Sequence, residues 1–165
     1  MSIFPTRILL ATDGSEEAEL ATNRAMDLAQ STDSELHVVH VGVVPLFLES
    51  YPGTLGYYDK LYERIEEESR ERLRKESLRV KAAGGTVAGA HLRKGKVDLE
   101  IVALAEELRA DLIVMGCRGH RGIRRAIEGS ISDAVIRHAP CPVLVVRSHE
   151  SAQDPEWPAV STGGR

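Results

Sequence analysis

Short apolar runs, each separated from the next by a stretch with helical spacing, constrain this 165-residue chain more than any other feature of it. Arg7–Ala11 is almost continuously apolar, as a strand covered on both faces should be. Thr12-Asp13-Gly14-Ser15 then reads as a turn. Ser15 is placed to N-cap a helix, and Glu16 and Glu17 suit the dipole of its first turn. Ala18, Ala21, Ala25, Leu28 and Ala29 recur at helical spacing. Leu36–Val41 reads as a second strand. Asp59–Lys81 reads as a long charged helix with an apolar track of Leu61, Ile65, Leu73 and Val80. The pairs Glu66–Arg70, Glu68–Arg72 and Glu71–Lys75 support it at i,i+4. Gly84-Gly85 stops it. Thr86–Leu92 is a weaker third strand, and Val97, Ile101, Leu104, Ala105 and Leu108 mark a third helix. Leu112–Met115 is the fourth strand, Ser130–His138 the fourth helix, and Val143–Val146 the fifth strand. Strands alternating with helices pair in parallel through right-handed crossovers, which predicts an open three-layer α/β fold.

The most informative local pattern follows the fourth strand. Two residues separate Gly116 from Gly119, then nine residues intervene before Gly129-Ser130. A glycine-rich loop thus leaves a strand and ends at a helix N-terminus. Glycines let backbone N–H groups approach an anion, and the first helical turn offers free donors and a positive dipole end, so the pattern suits phosphate. Ligands of such sheets lie beyond the carboxyl ends of the strands, at the topological switch point. The turn after strand one and the glycine loop both lie there. Whether they face one crevice depends on strands one and four being neighbours, which composition and periodicity leave open.

Composition excludes several classes. Hydrophobic residues make up 42% of the chain and aromatics 4%, so the core is built from Leu, Ile, Val and Ala. A net charge of −4 supplies no basic field for nucleic acid or an anionic membrane. Cys117 and Cys141 have no ligand spacing, so no disulfide framework or zinc site is indicated. No apolar stretch approaches the roughly 20 residues that span a bilayer, so the expectation is a soluble cytoplasmic protein. The Walker spacing fails at Gly89 to Val97, the turn after strand one lacks G-x-G-x-x-G, and no G-x-S-x-G elbow occurs.

Taken in order, Ile8-Leu9-Leu10-Ala11-Thr12-Asp13-Gly14-Ser15, His40-Val41, Asp111–Gly116 and the block Arg118–Arg147 with His138-Ala139-Pro140-Cys141-Pro142-Val143 resemble the ATP-binding branch of the universal stress protein family. The resemblance implies a domain over residues 1–147. It implies a Rossmann-like fold of the adenine nucleotide alpha hydrolase kind, with strand order 3-2-1-4-5. It further implies ATP between strands one and four, and dimers that pair through strand five, here Val143–Val146. Carried over, Val41 would read the adenine edge, and Ala11, Thr12 and Asp13 would lie beside adenine and ribose. Gly116 and Gly119 would shape the loop, with Met115 among the binding residues, and Gly129, Ser130 and Ile131 would meet the phosphates; Arg118, by its place between the two glycines, is the arginine read as contacting phosphate. Mg²⁺ would neutralise the triphosphate, since few carboxylates are available for a dedicated cage. The implied function is a nucleotide-dependent regulator of the stress response with a protein partner not identifiable from the chain. A slow ATP hydrolase or phosphotransferase is the alternative, disfavoured because no general base is legible.

Other residues receive plainer readings. Arg124 and Arg125 are read as a solvated face of the loop, Arg121 as either that or a phosphate clamp, and His120 as a surface histidine. Cys141 is read as packing, and His37 and His40 as histidines at the edge of the core. Gly42–Tyr58 is too apolar for a plain loop and is read as a connection packed over its own core. Residues 148–165, with Trp157, are polar and read as a mobile tail.

Overall fold

The structure, a computed structural model, describes residues 6–43, 55–117 and 131–147; for residues 55–58 it describes the backbone alone. The elements run β1 (Arg7–Ala11), α1 (Glu16–Thr32), β2 (Glu35–Gly42), α2 (Leu55–Ala82), β3 (Gly89–Lys94), α3 (Val97–Leu108), β4 (Leu112–Gly116), α4 (Ile131–His138) and β5 (Val143–Val146). All strand pairs are parallel, in the order β3-β2-β1-β4-β5. The expected three-layer α/β/α fold and its strand order are therefore what the chain adopts.

The alternation of the strands explains the two cores. Ile8 and Leu10 of β1, Leu36 and Val38 of β2 and Val114 of β4 point to one face. There they pack on Ala21, Ala25, Met26 and Ala29 of α1 and on Leu73 and Val80 of α2. Leu9, Ala11, Val39, Val41, Ile113 and Met115 point to the other, against Ile101, Leu104 and Ala105 of α3 and Val135 of α4. Each fully buried Leu, Ile or Val contributes about 1.5–3 kcal/mol by transfer from water. The alanines of α1 are short, so that helix lies close on the sheet.

Two boundaries differ from the expected ones. α2 begins at Leu55, four residues before Asp59, because Gly56 reads as a breaker but is carried by the long helix that follows. β3 begins at Gly89 rather than Thr86. Gly84, at φ 84°, ends α2 in the left-handed region, and the Gly85 N–H bonds the Val80 carbonyl at 2.9 Å. The chain then needs Thr86–Ala88 to reach β2, where the Ala88 N–H meets the Leu36 carbonyl at 2.8 Å. Val87 carries the apolar signal of that stretch as a loop residue packed on the core. On α2, Glu66 pairs with Arg70 as expected, whereas Glu68 takes Arg64 and Glu71 takes Arg74.

The pairing of β1 with β4 is secured where both begin. One carboxylate oxygen of Asp111 accepts from the Thr6 N–H at 2.9 Å, the Thr6 hydroxyl at 2.7 Å and the Arg7 N–H at 3.0 Å. The Asp111 N–H bonds the Arg7 carbonyl at 2.9 Å. The Thr6 hydroxyl, then the backbone amides, hold the Asp111 carboxyl below its ordinary range. A carboxylate of lowered pKa contributes stability that is present above the unfolded-state value, about 3.9, and is lost as pH falls through the folded value. Asp111→Ala should lower the free energy of unfolding by about 1–2 kcal/mol at neutral pH, given the group's exposure. The difference from the parent protein should shrink below about pH 4. Urea titrations at two pH values check both expectations.

Candidate functional site at the carboxyl ends of the strands

β1 ends between its two neighbours. Ala11 stands opposite Val39 of β2 and opposite Met115 of β4, and the Thr12 N–H continues the ladder to the Val39 carbonyl at 3.0 Å. The chain then turns sharply. The Thr12 hydroxyl accepts from the Gly14 N–H at 3.3 Å, and an Asp13 carboxylate oxygen accepts from the Ser15 N–H at 3.0 Å. This is a local side-chain turn that tolerates Gly14 at φ 77°. Ser15 caps α1 as expected, its hydroxyl accepting from the Ala18 N–H at 3.2 Å.

Two side chains from other elements hold the turn from outside. A carbonyl can only accept, so His40 donates through Nδ1 to the Thr12 carbonyl, at 2.8 Å. Burial pushes the His40 pKa down, partly opposed by that hydrogen bond and reinforced by the positive charge of Arg72. Arg72 of α2 donates to the Asp13 carbonyl at 3.1 Å. Nothing in the sequence pattern marked Arg72 for this role; it reads there as an i,i+4 partner of Glu68. His40 is buried, as its reading as a core-edge histidine requires.

β4 ends at Gly116, for a reason distinct from anion approach. A Cβ there would lie 2.9 Å from the Glu17 carbonyl carbon and 3.0 Å from the Ala18 nitrogen. Gly116 is the notch that seats the first turn of α1 against the sheet. Beyond it the Cys117 N–H bonds the Val146 carbonyl at 2.8 Å, and the Ser132 hydroxyl donates to the Cys117 carbonyl at 3.4 Å. Ser132 is buried and faces the end of β4 from the first turn of α4. Its role was not legible, because a serine inside a helical pattern carries no signal of what it faces.

Of the sequence-derived site residues, the structure gathers Ala11, Thr12, Asp13, Val41, Met115 and Gly116 at one end of the sheet. Ala11, Val41 and Met115 share the face on which α3 and α4 pack. Thr12 is buried and Asp13 half-buried at the rim. Ile131 opens α4 and is exposed. Arg118, Gly119, Gly129 and Ser130 lie outside the described residues, as do His120, Arg121, Arg124, Arg125, most of the Gly42–Tyr58 segment and the tail with Trp157. Among the described residues no group of three or more His, Cys, Asp or Glu side chains is placed to hold a metal ion. Nor, among them, is any helix long and apolar enough to cross a membrane. Cys141 is half-buried against the core, as its packing role requires, and burial pushes its thiol pKa up. The half-buried Asp13 carboxylate thus stands at the rim of an apolar end of the sheet whose Ala11, Val41 and Met115 are buried.

Residues 5–147 match the model of the universal stress protein family. A putative universal stress protein of Staphylococcus haemolyticus is 38% identical over 148 residues, spanning 89% of this chain and 87% of the relative. Among solved structures, the universal stress protein UspA of Lactobacillus plantarum superposes with a TM-score of 0.71 at 26% identity, over 88% of this chain and 100% of that one. A universal stress protein solved in complex with cAMP gives 0.63 at 26% identity, over 87% and 98%.

The contact at Gly116 is backbone against backbone, so an added methyl group cannot be relieved by a rotamer change. Gly116→Ala should cost about 1–3 kcal/mol as an overpacked site, and Gly116→Val more. The displacement should appear at the start of α1. Amide chemical shifts of Ser15–Glu19 and a denaturant midpoint measure the two effects.

Proposed function

The chain belongs to the universal stress protein family, and on that premise we propose that it binds ATP with Mg²⁺ at the carboxyl ends of β1 and β4. In this reading it serves as a nucleotide-dependent regulator of the stress response in the cytoplasm. The observation that carries the proposal is the pairing of β1 with β4. It brings the Thr12–Ser15 turn and the start of the Gly116–Ser130 loop to the same end of the sheet, at the position where open α/β sheets take ligands. The related protein in complex with cAMP supports an adenine nucleotide as the ligand class. The residues present suit such a ligand. The Asp13 carboxylate at the rim suits a ribose hydroxyl, and the buried Ala11, Val41 and Met115 would lie beneath a flat base. The backbone at Gly129, Ser130 and Ile131 would receive the phosphates. Mg²⁺, held chiefly by phosphate oxygens, would supply charge neutralisation.

Titrating ATP and Mg²⁺ into the full chain should raise its stability by RT ln(1 + [L]/Kd), about 2.7 kcal/mol at 100-fold excess over Kd. Gly129→Val should remove most of that gain. Ser130→Ala should cost about 1.5–3 kcal/mol of affinity at most, the worth of one hydrogen bond to a charged group. Asp13→Asn is the cleaner test of the rim carboxylate. Its amide oxygen can still accept from the Ser15 N–H, so the turn survives while the charge is lost, and affinity should fall with apo stability unchanged. Calorimetry with ATP and with cAMP separates the two ligands, and a turnover measurement separates regulator from slow hydrolase. No heat and no thermal shift with either nucleotide would sink the proposal.

The same premise supports a homodimer through β5. The Ile113 N–H meets the Pro142 carbonyl, and the Cys117 N–H meets the Val146 carbonyl. In a parallel ladder the alternate residues therefore turn their N–H and C=O outward, which puts those of Val143 and Val145 on the free edge. Leu144, 37% exposed, lies on that strand, and Ile136, 52% exposed, on the helix before it. Val145→Pro should remove an outward donor while sparing the bonds to β4, so dissociation should strengthen with little loss of fold. Sedimentation equilibrium of both proteins tests this; a parent chain that is monomeric at high concentration ends the proposal.

A further inference from the structure

We propose that His37 and His91 form a one-proton latch that holds the edge strand β3 to β2 and lets go when a second proton enters. The β2–β3 register sets His37 opposite Gly89 and Val39 opposite His91. The two histidines are thus diagonal neighbours on the face covered by α3. Nδ1 of His37 and Nε2 of His91 are 3.1 Å apart. The ring centres are 5.3 Å apart, which is that separation plus a ring radius at each end. The nitrogens therefore point at one another, and the contact is an N–H···N hydrogen bond rather than a stack. Gly89 makes the contact possible: a Cβ there would lie 2.6 Å from His37 Nδ1 and 2.8 Å from His91 Nε2.

The far side of His37 completes the device. Its Nε2 is buried and, among the described residues, makes no hydrogen bond. It lies 3.6 Å from a Glu35 carboxylate oxygen, which Arg7 of β1 also holds at 2.9 Å. Among the described residues, the other charged groups acting on His91 are Arg93 of β3 and Glu107 of α3, which are bonded to each other.

Proton counting gives the behaviour. In the neutral pair one hydrogen lies between the facing nitrogens. While only one of the two rings is charged, an N–H of one can still be directed at the lone pair of the other. A second added proton leaves no lone pair between the rings and sets two positive charges 3.1 Å apart, so the rings must separate. Burial, and then the charge of His37, hold His91 below the ordinary histidine value. The unfolded chain therefore takes up this proton first. The latch contributes fully above the unfolded-state value of about 6.5, and its contribution declines as pH falls below it. Among the described residues β3 has a single neighbour in the sheet, so the β2–β3 junction is where the loss is felt.

The test is an imidazole nitrogen NMR titration of the full chain, with amide exchange of Ala90–Lys94 followed over the same range. His91 should take its proton only below the ordinary histidine range. The intrinsic-rate-corrected protection of the β3 amides should fall with it, about tenfold for each pH unit of that depression. His91→Gln keeps a hydrogen-bonding side chain that cannot charge. Its thermal midpoint should decline less than the parent's between about pH 7.5 and pH 5, while the share due to buried His40 remains in both proteins. Independent titration of both rings at the ordinary value overturns the proposal, as do β3 protection that ignores pH and superimposable pH–stability curves. Should His91→Gln fail to fold, the titration and exchange data on the parent chain decide alone.

Discussion

Everything at the working end of this molecule depends on β1 lying between β2 and β4. A strand in the middle of a parallel sheet has both edges occupied, so where it ends is dictated by two neighbours at once. Here the carbonyl of Val39 takes the amide of Thr12 on one side, and Met115 closes the register with Ala11 on the other. The turn that follows has no freedom to wander. His40 grips its first carbonyl, Arg72 the second, and its own Asp13 and Thr12 side chains satisfy the amides between. The Thr12–Ser15 turn is thus held by side chains that bond its own backbone, which is how a position is preorganised within a loop.

How much of this the sequence carried follows from the range of each interaction. The strands β1, β2, β4 and β5 and the cap at Ser15 are local patterns of apolar continuity and side-chain capping, and they read correctly. The start of β3 did not, because Val87 is apolar for a reason only the folded chain supplies, and because Gly89 answers to two histidines, one of them far along the chain. The neighbourhood of β1 and β4 is likewise a long-range fact. It rests on Asp111 reaching Thr6 and Arg7 across more than 100 positions, and periodicity cannot report it. The family resemblance could, which is why it contributed strand order and site together.

The candidate site divides in the same way. Ala11, Asp13, Val41 and Met115 follow from strand ends and resemblance, and the fold brings them to one place. Gly116 was read as loop chemistry, whereas its contact is with the backbone of α1; a glycine's neighbour is invisible in one dimension. Arg72 and Ser132 escaped notice because each belongs to a helix whose pattern explains it without reference to the site.

The capped start of α1 has a consequence for how any elongated ligand would lie. Ser15 already occupies an amide there, and Glu16, Glu17 and Glu19 crowd its first turn with negative charge. Although Arg79 pairs with Glu19 at 2.7 Å, the serine cap and the acidic first turn already answer this helix end's amides and dipole, which leaves less for a further anion. α4 starts at the same edge of the sheet with Asp133 as the acidic residue of its first turn. Among the described residues, the two helix starts thus differ in how many acidic residues they carry. Under the proposed reading, a ligand with a neutral head and a charged tail would lie with its head toward β2 and its tail toward α4. This polarity comes from which of two neighbouring helices was given the acidic cap.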